Sequence, residues 1–372
     1  MSPRRVRVRL GARSYDVLIG AGLLPRLPGL LRRWSPARTV WLVTDTRVAR
    51  LHAGPLAARL RRSGYRVHLS AVPPGERSKC ARMLERLVRD GLRAGIRRDA
   101  LLLALGGGVV GDLAGLVAGT YLRGLPWVQL PTTLLAQVDA SVGGKVGVDV
   151  GPHKNSLGLF LQPLAVVADV AVLRTQSARQ FRCGLAEAIK MSVALSRQEF
   201  AWLERHVPRL APGSPPALLA ELVARAVRMK AAVVAEDELD RGRRALLNFG
   251  HTLGHALEGA CGYRRLLHGE AVAIGCAFAA GWSARLRRLP PADLRRVVAL
   301  LQAARLPVRP PRVPAARLRA LILGDKKQSD NGLAFVLTGP LGGGSVKRLR
   351  NSQGLARALN AFLEPRPAEE RP

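Results

Sequence analysis

The segment ALLLALGGGVVGDLAG, residues 100–115, limits what this chain can fold into more than any other. An apolar run of this kind reads as a buried strand, and three consecutive glycines at its end mark a tight entry into a helix. The wider stretch 101–122 is long enough to resemble a membrane span, yet it carries Asp112 and glycines at 106, 107, 108, 111, 115 and 119. A strand, a turn and a closely packed helix fit that content better than lipid does. At such a turn backbone amides approach a pyrophosphate closely, and the helix N-terminus favours its negative charge. The pattern is GGGxxGD, not the usual dinucleotide fingerprint, and a ligand-free turn is the competing reading.

Short apolar runs recur at 39–44, 66–72, 100–105, 127–130 and 164–168, with helical patterns between most of them, and the Val–Arg alternation of the N-terminus reads as a first strand. βαβ units around a mainly parallel sheet follow. After about residue 175 the pattern changes to amphipathic helices, including 179–195, 217–234, 248–260 and 269–287. The expected organisation is an α/β Rossmann-like domain over 1–175, an all-α domain over 176–363, and a disordered Pro- and charge-rich tail over 364–372. Residues 211–216, APGSPP, read as a loop between helices.

Four scattered cysteines without a CxxC pair, and no signal-like apolar stretch at the N-terminus, point to a reducing cytoplasm. A net charge of +33 raises nucleic acid or an anionic membrane as a partner, but the charge is diffuse, with no aromatic interleaving and no binding motif. Neither partner is expected. Only eight of the 59 Lys and Arg residues are Lys: positions 79, 145, 154, 190, 230, 326, 327 and 347. In a chain that writes most positive charges as Arg, the retained lysines are expected where a compact ammonium is required. Leftover surface lysines would show no clustering near other polar motifs.

Four constellations carry candidate chemistry. In PPGERSK, Glu76 and Lys79 can hold ribose or nicotinamide groups, against the plainer reading of a solvated helix start. Residues 130–158 hold Thr132 and Thr133 at a strand end, then Asp139, Lys145 after two glycines, and the Lys154–Asn155 pair, which together look like an active-site loop. In GLAEAIK, Glu187 and Lys190 share a helix face. In NFGHTLGH, His251 and His255 are four apart with Asn248 one turn earlier, and His268 opens the next helix. The HxxxH lacks the Glu of a metalloprotease motif. Glu187 with two histidines makes a three-ligand set with open positions, as in catalytic zinc sites, whereas a single histidine on an apolar helix is usually a core residue.

GGGVVGDLAG, PTTLLAQVDASVGGK, HKNSLG, GLAEAIK, RALLNFGHTLGH, LHGEAVAIG and GDKK stand in the order and spacing of the 3-dehydroquinate synthases, which this chain resembles from about residue 4 to 346. The resemblance implies a Rossmann-like NAD domain, a helical metal domain, an active site in the cleft between them and a homodimer. It implies zinc or cobalt on Glu187, His251 and His268. Lys190, His255, Asp139, Lys145, Asn155 and Asn248 would act on the substrate, and Arg123, reaching across the dimer, with Lys230, Arg244 and Lys326 would bind it. Asp45, Glu76, Lys79, Gly107, Gly108, Asp112, Thr132, Thr133 and Lys154 would contact NAD. The implied substrate is a sugar acid phosphate, 3-deoxy-D-arabino-heptulosonate 7-phosphate. Transient oxidation at C5 acidifies the C6 proton, phosphate leaves, the ketone is reduced again and an aldol closure completes the ring. Two departures touch loop shape: Gln176-Ser177 stands for the usual Leu-Pro, and His153 for the usual Gly before Lys-Asn. The rival readings are another sugar phosphate cyclase, or a glycerol- or iron-dependent alcohol dehydrogenase.

Overall fold

The computed structural model describes residues 2–151, 153–262, 265–324, 333–349 and 353–364. The chain forms two units, Met1–Phe181 with Ala211–Leu239, and Arg182–Leu210 with Asp240–Pro372.

The first unit holds β1 (Arg4–Val8), β2 (Tyr15–Gly20), β3 (Thr39–Asp45), β4 (Arg66–Val72), β5 (Leu101–Gly106), β6 (Trp127–Pro131), β7 (Lys145–Val150), β8 (His153–Phe160) and β9 (Ala165–Asp169). Seven of them form one sheet in the order β1-β2-β9-β6-β5-β3-β4, while β7 and β8 pair as a separate antiparallel hairpin. Only β1–β2 is antiparallel within the large sheet. Every residue of β5, β6 and β9 is buried, which explains their largely apolar sequence: both faces are covered. Leu101, Leu103 and Leu105 pack with Leu31, Leu56 and Leu60 on one face, and Leu102 and Ala104 with Leu87, Leu113 and Val117 on the other.

The chain runs from β3 to β4 on one side and returns to β5 on the other, so the order reverses between β3 and β5. Ligands of doubly wound sheets bind outside the carboxyl ends of the strands at such a point. Gly107 lies there, as N-cap of the helix Gly108–Thr120.

In the second unit the helix His268–Arg285 is buried almost throughout and packs against the helices His251–Ala260 and Pro291–Ala303. A two-stranded hairpin, β10 (Leu333–Thr338) and β11 (Gly344–Leu349), accompanies the helices. No helix among the described residues is long and apolar enough to cross a membrane.

Three expectations need correction. The helix Pro216–Glu236 belongs with the first unit, not with the helices that follow it, because its apolar stripe packs on β1 and β2. The stretch 130–158 is not one loop: much of it is the β7–β8 hairpin. The expected helix over 248–260 starts only at His251, because Gly250 adopts φ +80° and separates it from the 3-10 turn Arg243–Asn248. Asn248 is therefore not one helical turn before His251. The tail from 365 onward lies outside the described residues.

Candidate active site

The first unit gathers most of the expected cofactor residues at or just beyond the carboxyl ends of β3 to β6. Asp45 closes β3, and its carboxylate accepts the backbone N–H groups of Arg47 and Val48, both at 2.9 Å. That is a helix cap, a role compatible with a ligand contact but sufficient without one. Thr132 follows β6, is buried, and its hydroxyl has no hydrogen-bond partner among the described residues. Such an orphan leaves a hydroxyl able to bond a ligand atom. Thr133 instead accepts the N–H of Ala136 at 3.2 Å.

Lys79 is buried and pairs with both the Asp112 carboxylate and the Asn155 side-chain oxygen. Burial opposes its charge, yet the carboxylate of Asp112 outweighs this and raises its pKa. The β7–β8 hairpin is tied to this segment: Asp149 donates its N–H to the Lys79 carbonyl at 2.9 Å and accepts the N–H of Asn155 at 2.7 Å. Asn155 has φ +53°, a left-handed conformation that asparagine tolerates better than most residues. Lys154 lies 3.7 Å from Glu76. Lys230, from the helix Pro216–Glu236, is buried against Asp139, pairing with its carboxylate and donating to its carbonyl at 2.6 Å. Lys145 is exposed at the start of β7, and Arg123 is exposed in a turn where Leu122 and Arg123 both have positive φ.

In the second unit two glycine contacts draw three helices together. A Cβ on Gly275 would lie 1.9 Å from the Gly250 carbonyl oxygen, so only glycine lets the His268–Arg285 helix approach the start of His251–Ala260. A Cβ on Gly269 would lie 2.3 Å from the Cα of Cys183, one turn before Glu187 on the helix Ala178–Leu195. Glu187, His251 and His268 consequently offer one ligand atom each within 4.8 Å of one another. The Nε2 atoms of His268 and His251 are 3.4 Å and 4.0 Å from Oε1 of Glu187. Lys190 is fully buried and ion-paired with the other oxygen.

The electrostatics suit a cation. Neither oxygen of the buried Glu187 accepts a well-formed hydrogen bond among the described residues. Burial disfavours its charge, but Lys190 and His268 outweigh that and hold the carboxyl well below the usual range. Burial likewise disfavours a charged His268, but Glu187 and Glu258 push it up to about 10. A proton on His268 thus stands where a metal ion would place positive charge, and the donor set fits a divalent ion of the zinc type.

His255 is exposed, its ring 5.2 Å from that of His251 and 5.9 Å from that of His268. Arg244 is buried and Asn248 exposed. Lys326 lies outside the described residues. Gln176 accepts the N–H of Leu134 at 3.1 Å and the Ser177 hydroxyl accepts that of Gln180 at 3.3 Å, so this departure makes its own anchors. Sequence reasoning missed Glu258, buried beside His268. Its signal was an acidic residue among apolar ones, seven places after His251 and three after His255.

A doubly wound sheet unit with a glycine turn at its reversal point, and a helical unit with a Glu-His-His cluster, define the dehydroquinate synthase-like class. Two solved structures share this fold. One is 2-deoxy-scyllo-inosose synthase complexed with carbaglucose-6-phosphate, NAD+ and Co2+, with TM-score 0.87 and 22% identity over 97% of this chain and 100% of that one. The other is 2-epi-5-epi-valiolone synthase from Streptomyces hygroscopicus subsp. jinggangensis 5008 with NAD+ and Zn2+ bound, with TM-score 0.86 and 30% identity over 94% and 96%. Residues 69–183 match the family described as 3-dehydroquinate synthase N-terminal, and 184–328 that described as 3-dehydroquinate synthase C-terminal. The 3-dehydroquinate synthase of Geobacter sp. (strain M21) is 45% identical over 365 residues, 98% of each chain. This chain belongs to the 3-dehydroquinate synthase family.

Proposed function

We propose that the protein converts 3-deoxy-D-arabino-heptulosonate 7-phosphate to 3-dehydroquinate and phosphate, the ring-forming step of the shikimate pathway, using NAD and zinc or cobalt. The observation that carries this reading, in a chain of this family, is the Glu187–His251–His268 cluster with Lys190 paired to its carboxylate. A candidate metal-ligand set and a candidate proton carrier thus meet at one buried carboxylate, Glu187, which suits an oxidation of a hydroxyl held at the metal.

When bound, NAD supplies a hydride acceptor that returns the hydride within the turnover, and the metal a Lewis acid at the substrate hydroxyl oxygens. Glu187, His251 and His268 would hold the metal. Asp45, Glu76, Lys79, Gly107, Gly108, Asp112, Thr132, Thr133 and Lys154 would bind NAD, the glycine turn taking its pyrophosphate. Lys190 moves the hydroxyl proton. Lys145, Asn155, Asn248, His255 and Lys326 hold the phosphate as it leaves, Asp139 contacts the sugar, and Lys230 and Arg244 take the carboxylate. The protein would act as a cytoplasmic homodimer to which Arg123 contributes across the interface.

The test is phosphate release from the heptulosonate phosphate with NAD+ and Zn2+, followed together with absorbance at 340 nm. Phosphate release without net NADH is expected. Net NADH would favour a dehydrogenase, and turnover confined to sugar phosphates lacking a carboxylate would favour another cyclase.

A further inference from the structure

We propose that Glu258 is a positioning residue for the metal site: its carboxylate accepts the Nδ1–H of His268, fixes the tautomer of that ring and leaves Nε2 as the metal-binding atom. The inference rests on the reading of Glu187, His251 and His268 as ligands. The two nitrogens of His268 face different carboxylates, Nε2 lying 3.4 Å from Glu187 Oε1 and Nδ1 3.4 Å from Glu258 Oε2. A neutral imidazole carries its proton on one nitrogen and a lone pair on the other, and a carboxylate beside Nδ1 selects the form whose lone pair is on Nε2. Glu258 is 4% exposed, between the buried Leu257 and a helix end at Ala260, where a carboxylate is costly without a partner.

His251, His255 and Glu258 stand on successive turns of one helix, so that helix presents a ligand, an exposed imidazole and the carboxylate beside the other ligand's ring. The competing role for Glu258 is direct ligation, since His255, Glu258 and His268 also bring ligand atoms within 4.8 Å. That set would use Nδ1 of His268, the nitrogen on the far side of the ring from Glu187. An ion shared with Glu187 and His251 takes Nε2, which leaves Glu258 the part of ring partner.

The experiment titrates metal-free protein with Co2+, reading the dissociation constant by chelator competition and the coordination from the visible d–d spectrum. NAD+ affinity serves as a control on the first unit. Glu258→Gln keeps the volume and removes the charge. It should weaken Co2+ binding by about 10- to 100-fold with the wild-type band shape, and Glu258→Asp should restore part of the loss. Binding by Glu258→Gln within about two-fold of wild type would overturn the proposal. So would a spectrum altered in the manner of His251→Ala, which would make Glu258 a ligand. If His251→Ala itself bound Co2+ as wild type does, the ligand assignment underneath would fail, and the proposal with it.

Discussion

In the first unit the buried cations Lys79 and Lys230 each lie against one carboxylate of the same unit, Asp112 and Asp139, whereas in the second Lys190 pairs with Glu187 and a further buried carboxylate, Glu258, converges with Glu187 on the ring of His268. The difference is one of completeness. A lysine–aspartate pair satisfies its charges before any ligand arrives, so the cofactor side can fold with its polar groups ordered. The two carboxylates around His268 strengthen its hold on a proton, with Lys190 balancing Glu187 in part, and a divalent ion would displace that proton. On the proposed function the first arrangement would receive NAD, and the second would exchange a proton for the metal.

Removing the metal should separate the two units most clearly. Chelation, or His268→Ala, should abolish turnover, with Zn2+ or Co2+ restoring it only in the chelated wild type, while NAD+ binding by the first unit persists. Full turnover by metal-free protein would erase the distinction between the units. Next in size, Lys230→Met removes the buried ammonium that pairs with Asp139 and should lower unfolding free energy by about 3 kcal/mol in a denaturant titration. Co2+ affinity should stay unchanged, and a shift in it would show that the two charge systems are coupled.

His255→Ala should keep the metal and slow phosphate release by about a hundred-fold, the loss expected for one charge-assisted contact to the leaving group. Loss of Co2+ binding would instead place His255 among the ligands. Arg244→Ala should lower kcat/KM by about ten- to a hundred-fold and erase the preference for the acid over a decarboxylated analogue, with metal and NAD+ retained. The smallest expected effect is Lys145→Arg, about ten-fold in kcat/KM, because a planar guanidinium replaces a compact ammonium after two glycines. Activity within a few-fold of wild type would remove the case for lysine at that position.

The wider expectation that retained lysines are placed for a purpose has support in the fold. Among the described residues the buried cationic side chains are Lys79, Lys190, Lys230 and Arg244, three lysines in a chain where lysine supplies eight of 59 cations. A surplus of arginine on the surface therefore made the lysines informative. The five apolar runs read as strands all formed strands, shifted by a residue at some ends; β3, β5, β6 and β9 are buried along nearly their whole length, while the edge strand β4 is only partly buried. β2 was not singled out, and neither were the hairpins β7–β8 and β10–β11, whose partly exposed residues leave a weaker pattern. Glu187, His251 and His268 were legible as a set because histidines are scarce here and three fall within eighteen positions.

The alternation of buried strands and helices, the glycine turn at the end of β5 and the residue types that can bind a metal are legible along the chain alone. These depend on local periodicity and on side-chain chemistry, both of which are written along the chain. That the helix Pro216–Glu236 joins the sheet unit, that Lys230 meets Asp139 across 91 residues, and that Gly250 and Gly275 let two helices touch emerge from the folded chain. An amphipathic stripe states that a face will be buried but not against what, and a glycine states that space is allowed but not which backbone will fill it. Glu258 became visible as a partner of His268 for the same reason: the contact spans two helices, and their crossing set which nitrogen of the ring it meets.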